Sequence, residues 1–216
     1  MKRIYFLLLI LAPLFVFCQQ DNKDTESKPQ TKSFYFGLKG GVNFSNVTNA
    51  SSIGAGSQTG YHAGIFVNMG AKLISFRIEA LYSRQGYNYS TDSGSGSVKH
   101  DYIYLAELMG INITHFFQIQ FGAQTGYLLN AKAESKDQGT GNAAADQILN
   151  LYNRFDFGMS GGLEVHPIAG IIVGARYNLS FSNLYKVSLT SSSGGSYTPN
   201  LDFKNNVVQV FAGYRF

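Results

Sequence analysis

From Ser33 onward, hydrophobic and polar residues alternate one by one in short tracts separated by stretches rich in turn formers. Phe34, Phe36, Leu38, Val42 and Phe44 interleave with Tyr35, Gly37, Lys39, Gly41 and Asn43. A period of two marks a β-strand whose faces meet different surroundings. The pattern returns in tracts that begin at Tyr61, Ile74, Phe117, Phe155, Ile171 and Val207. Residues 102–113 supply an eighth candidate, apolar enough for a strand, whose phase the pattern leaves open.

The connections follow a rhythm of their own. Long polar links are predicted over residues 45–60, 88–101, 130–152 and 185–204, with a helical turn over 143–151. Short ones fall at residues 70–72, 114–115 and 167–170. Strict alternation of long and short predicts an all-β, eight-stranded antiparallel up-and-down transmembrane barrel. Its long loops lie outside and its short turns in the periplasm, and an even strand count places both termini in the periplasm.

Composition decides which face is outward. Charged residues make up 14% of the chain, against roughly 25% in soluble domains. The sequence carries 17 Phe, 14 Tyr and 24 Gly but only 4 Pro. The apolar phase is continuous, with aromatics at strand ends, as on a wall facing lipid between aromatic girdles. The other phase is Gly, Ser, Asn and Gln with isolated charges, which suits a narrow lumen filled by side chains. A soluble periplasmic barrel holding a ligand inside is the competing arrangement, with the faces reversed. A net charge of +4 without Lys/Arg clusters argues against nucleic acid as a partner.

Lys2 and Arg3 followed by the apolar run 4–17 read as a signal peptide over residues 1–18, too short for a spanning helix. Cys18 is either removed with the signal or lipidated, and as the single cysteine it excludes an internal disulfide framework. Residues 19–33 read as a flexible periplasmic lead-in and 34–216 as the barrel, set in the outer membrane of a Gram-negative cell.

Lys39, Arg77, Glu79, Asp156, Glu164, Arg176 and Arg215 fall on the inward phase. Charges in a narrow lumen must pair or stay wet, so they form either a packed polar plug or the lining of an ion path. At the end of the chain, Val210, Ala212, Tyr214 and Phe216 are spaced two apart, as in a signal read by barrel-assembly machinery. His100 beside Asp101, at the mouth of a Ser-rich link, is the one arrangement that could serve rim hydrolase or acyltransferase chemistry. His62, His100, His115 and His166 lack metal-ligand spacing, and residues 94–97 (Gly-Ser-Gly-Ser) form a loop tip that lacks the Lys of a phosphate loop. No cofactor is implied.

Several stretches resemble the PorT-type outer-membrane β-barrel family. They are the Phe-Gly-Leu-Lys-Gly-Gly-Val-Asn-Phe-Ser run at 36–45, Tyr-His-Ala-Gly at 61–64 and Glu-Ala-Leu-Tyr-Ser-Arg-Gln-Gly at 79–86. Gly-Tyr-Leu-Leu at 126–129, Phe-Asp-Phe-Gly at 155–158, Gly-Ala-Arg-Tyr-Asn at 174–178 and Gly-Tyr-Arg-Phe at 213–216 fit as well. The fourth strand departs from the pattern, since Glu107 is followed by Leu108 where the family often has Pro. The resemblance implies an eight-stranded barrel and, through the founding member, support of a secretion apparatus. The expected function is non-enzymatic, exerted through surface loops or envelope partners in adhesion, envelope integrity or secretion. A small-solute channel and a rim-located lipid-modifying enzyme are the alternatives. Expected partners are outer-membrane lipid, the barrel-assembly machinery during insertion, and envelope or secretion-system proteins.

Overall fold

A computed structural model describes residues 33–48, 55–91, 94–135, 152–184 and 204–216. The expected signal peptide with Cys18, nearly all of the expected lead-in, most of the link expected at 185–204 and the helical turn expected at 143–151 lie outside these residues. Eight antiparallel strands follow one another around a closed barrel: β1 (Ser33–Thr48), β2 (Gly56–Gly70), β3 (Ile74–Thr91), β4 (Gly94–Asn112), β5 (Phe117–Ser135), β6 (Phe155–Val165), β7 (Ile171–Ser180) and β8 (Lys204–Arg215). The ring closes where β1 pairs with β8, from Gly37 opposite Arg215 to Thr48 opposite Lys204.

At one end of the barrel only two residues separate β3 from β4, and at the other end tight connections join β2–β3, β4–β5 and β6–β7. In the last, Ile171 N–H donates to the Ile168 carbonyl at 3.1 Å, and Gly170 takes φ +84°. That conformation belongs to the third position of a type II turn and favours glycine. In the second, the Thr114 hydroxyl accepts from the Phe116 and Phe117 amides, both at 3.1 Å, so a side chain does the work of a turn carbonyl.

The lower wall of the barrel is inside out relative to a soluble protein. Phe34, Phe36, Leu38, Ile65, Leu105, Met159, Val173 and Val210 are exposed. Lys39, Arg77, Glu79, Glu164 and Arg176 are buried. Aromatics cluster in two outward rings. Phe36 stacks on Phe216 near the short turns, and Tyr61–Tyr82, Tyr127–Phe155 and Phe157–Phe181 form the second ring. Phe36 and Phe44 mark the two levels on β1. Eight residues of tilted strand rise about 20 Å, close to the apolar band of an outer-membrane barrel.

The polarity of the wall reverses above the second ring. On β3, outward Ile78, Ala80 and Tyr82 give way to Arg84 and Asn88, while inward Arg77 and Glu79 give way to Tyr87. On β5, outward Ala123 and Tyr127 give way to Lys132 and Glu134, while inward Gln118, Gln120 and Gln124 give way to Leu128 and Ala131. One register shift, between Asp101 and Tyr102 against β5, leaves Leu129 unpaired and keeps Ala131 facing in. Lipid solvates the lower wall and water the upper one.

Several sequence expectations are corrected here. The link over 88–101 is strand on both sides, with Tyr89 opposite Gly96 and Thr91 opposite Gly94, so the Gly-Ser-Gly-Ser segment belongs to β4 and not to a loop tip. Residues 45–48, 56–60 and 130–135 are likewise strand. Ser and Gly suggested turns, but in water-exposed strands they satisfy the ladder without needing apolar alternation. The open phase of residues 102–113 is fixed: Ile103, Leu105 and Met109 face out, Tyr102, Tyr104, Ala106 and Leu108 in.

That phase puts Glu107 on the lipid side, opposite Ile78 and Ala123 and without a bonded partner among the described residues. A carboxylate at this depth opposes insertion, though less than a cation would. Glu107→Leu should therefore stabilise the barrel by about 1 kcal/mol, read as a higher urea midpoint for unfolding from lipid vesicles. A lower midpoint would show that Glu107 has a favourable role in the wall.

Candidate functional site

Three inward cations and two inward carboxylates from β1, β3, β6 and β7 meet at mid-barrel. Arg176 holds Glu79 with two hydrogen bonds, Nη1 to Oε2 at 2.7 Å and Nη2 to Oε1 at 3.0 Å. Lys39 donates to the same carboxylate at 3.1 and 3.3 Å. Arg77 grips Glu164 in the same forked way, at 2.5 and 2.7 Å, and its Nη1 lies 3.7 Å from Glu79. Gln120 ties the halves together: it accepts from Arg176 at 2.9 Å and donates to Glu164 at 3.1 Å.

The cations outnumber the carboxylates, and aromatic faces take up the difference. Lys39 Nζ sits 3.7 Å from the centre of the Phe211 ring, and the Arg77 guanidinium lies 4.6 Å from that of Phe66. An isolated ion in such a place costs several kcal/mol, while a bidentate, fully bonded group offsets much of that. Glycine makes room for the cluster: a Cβ on Gly41 would run into the Val210 carbonyl and the His62 ring. His62 in turn contacts Asn43 Oδ1 through Nδ1 at 2.7 Å.

The seven predicted inward charges do not act as one set. Lys39, Arg77, Glu79, Glu164 and Arg176 form the network just described. Asp156 stands apart, accepting from Tyr104 at 2.6 Å and from Ser180. Arg215 lies at the short-turn mouth with its guanidinium 5.4 Å from the Tyr35 ring centre. Gln118, Gln120 and His166 also belong to the network, His166 through a 2.8 Å contact with Glu164. The two glutamines were legible, since they alternate with Phe117, Ile119 and Phe121; His166 lies past the end of β6 and gave no signal.

Above the ionic layer the expected small polar residues, among them Asn43, Ser45, Ser83 and Gln85, are buried in the lumen, and a cluster of apolar and aromatic side chains that the sequence did not predict lies beside them. Leu81, Tyr87, Val98, Tyr102, Tyr104, Leu128, Ala131 and Tyr152 form a buried cluster there. His100 is buried among them, 4.7 Å from the Tyr152 ring. Asp101 faces the other way and accepts from Arg84 at 2.7 Å and from Tyr82 at 2.8 Å. Adjacent strand residues point to opposite faces, so His100 and Asp101 cannot share a catalytic site. At the water-exposed end Lys99 and Glu134 pair at 2.7 Å, and this bond holds the Glu134 carboxyl below its ordinary range. Val210, Ala212, Tyr214 and Phe216 all lie outward on the β1–β8 side of the barrel.

Glu79, shared by Lys39 and Arg176, is the hub of the ionic layer. Glu79→Gln leaves Lys39 and Arg176 short of counter-charge and should cost about 3–5 kcal/mol in urea unfolding. Glu134→Gln, at the surface, should leave the midpoint where it was. Equal midpoints for the two variants would show that the ionic layer does not hold the barrel.

The outer membrane protein beta-barrel domain model matches residues 17–186. Among solved structures, the chain is similar to Ail, the attachment invasion locus protein of Yersinia pestis, at 16% identity over 84% of this chain and 98% of that one, with a TM-score of 0.43. Neisserial surface protein A is 14% identical over 87% of this chain and 100% of that one, at 0.47. OprG from Pseudomonas aeruginosa is 12% identical over 86% and 97%, at 0.44. No curated protein matches the sequence. The chain belongs to the outer membrane protein β-barrel domain family and is an outer-membrane β-barrel protein.

Proposed function

We propose that this barrel is non-enzymatic and works through its water-exposed surface, with the ionic layer of the lumen holding the wall together. The observation that carries this reading is the height of β3, β4 and β5. These strands run 18, 19 and 19 residues, against 11, 10 and 12 for β6, β7 and β8. Beyond the upper aromatic ring they continue for eight or nine residues, roughly 20 Å along the barrel axis at ordinary strand rise and tilt. Their outer face there is polar, with Asn88, Lys99, Lys132 and Glu134, and their inner face packs on Tyr152 and Leu184. A rigid sheet held off the membrane presents fixed side chains to a partner at little entropic cost.

In this reading the sheet and the long loops face the cell exterior, both termini face the periplasm, and the partners are envelope or surface proteins. The resemblance to the PorT-type family supports a task in secretion or envelope integrity. The outward Val210, Ala212, Tyr214 and Phe216 suit recognition by the assembly machinery during insertion. The stacked ionic and aromatic layers argue against the channel alternative, and the opposed His100 and Asp101 against rim catalysis.

A photo-reactive residue at position 132, on the sheet, should cross-link to protein in intact cells, whereas one at position 105, in the lipid-facing wall, should label lipid. The purified chain in planar bilayers should give no discrete conductance steps. Solute-selective conductance, or a sheet that captures nothing while the wall does, would replace this reading.

A further inference from the structure

At the short-turn end the lumen opens into a cavity of about 520 Å³, separate from the upper sheet. Its wall includes Lys72 from the β2–β3 turn, His115 from the β4–β5 turn, His166 after β6 and Arg215 at the end of β8. No Asp or Glu lines it. Among the described residues no carboxylate lies within ion-pair reach of Lys72 or Arg215; the nearest inward one, Glu164, is already gripped by Arg77 and His166.

The neutral groups of the cavity lean the same way. Asn68 Oδ1 accepts from Arg77 at 3.2 Å, Asn112 Oδ1 accepts from Gln118 at 2.7 Å, and Ser75 Oγ accepts from Gln118 at 2.9 Å. The Asn112 amide donates to the Lys72 carbonyl at 3.2 Å, so what the site offers a ligand is chiefly its two cations. Two unpaired cations, each with several N–H donors, around one space select a ligand that is negatively charged, rich in oxygen and accepts from several directions. Phosphate fits that description better than a carboxylate, which presents two oxygens in one plane. The cavity is also lined by Leu73 and Ile113, which are 62% and 56% exposed beside the lower aromatic ring.

We infer that the short-turn mouth is a binding site for a phosphate group, carried either by a phospholipid headgroup at the adjoining membrane surface or by a soluble phosphate. The lipid-facing lip and the inward cations are compatible with both sources. The site is independent of the surface function proposed above, because it lies at the opposite end of the barrel.

The test uses the full chain folded in dodecyl maltoside, a phosphate-free detergent, with the His115 and His166 ring resonances followed by NMR at constant pH and ionic strength. Inorganic phosphate is titrated in one arm and short-chain phosphatidylglycerol in the other, with chloride as the control. Saturable shifts in either arm support the site. Saturation with phosphate shows that a free anion suffices, and saturation with the lipid alone assigns the headgroup as the source. Arg215→Gln and Lys72→Gln should each weaken binding about tenfold, the effect of losing one charge-assisted hydrogen bond. Lys72 lies in a turn, so its variant tests the site even where the Arg215 variant fails to fold, which heat-modifiable gel migration reveals. No saturable shift in either arm, an equal response to chloride, or unchanged affinity in folded Lys72→Gln overturns the assignment.

Discussion

Hydrocarbon offers no hydrogen-bond partner to a peptide group, so a sheet in lipid must close on itself. In this chain the seam between β1 and β8 meets that demand, and closure brings charges from distant strands into one small lumen. The wall can be apolar outside because most polar side chains of the same strands find partners inside. Lipid on one face and ion pairing on the other are two sides of a single constraint. Glu79, between Lys39 and Arg176, is where they meet.

The reversal of polarity along β3 and β5 shows how far that constraint reaches. Below the upper aromatic ring, apolar side chains face out and Arg77, Glu79 and the glutamines face in. Above it the strands behave as in a water-soluble protein, with Tyr87, Leu128 and Ala131 packed inside and Arg84, Lys132 and Glu134 outside. The backbone ladder is continuous between β3 and β4 and shifts register once against β2 and once between β4 and β5. The same strands that anchor the protein therefore carry a sheet beyond the membrane, with an aromatic cluster packed inside it.

Period-two alternation carries its own phase where one face is apolar and the other polar, which is why seven strands and most of their inward residues could be read from the sequence. β4 could not be phased, because Ile103, Leu105 and Met109 face lipid while Tyr102, Tyr104 and Leu108 fill the lumen, and both rows are apolar. The upper parts of β3 and β4 look like a loop in the sequence because Ser and Gly at 94–97 are also turn formers. The partners within the ionic layer lay beyond sequence reasoning: Lys39 and Arg176 stand 40 and 97 residues from Glu79, and only barrel closure and register bring them together. His166 was missed for the same reason, since its contact with Glu164 depends on how the chain leaves β6.

Lipid bathes the Phe, Leu, Ile and Val face up to the level of Tyr82, Ile103 and Tyr127, and water bathes the strands above it. Paramagnetic broadening of backbone amides by a spin label on the lipid acyl chain measures this directly in nanodiscs. The account predicts strong broadening at Leu105, Ile65 and Val210, and little at their inward neighbours Tyr104 and Phe211 or at Lys99 and Lys132. Uniform broadening along β4 and β5, or protection of Leu105 and Val210 from the lipid label, would contradict it.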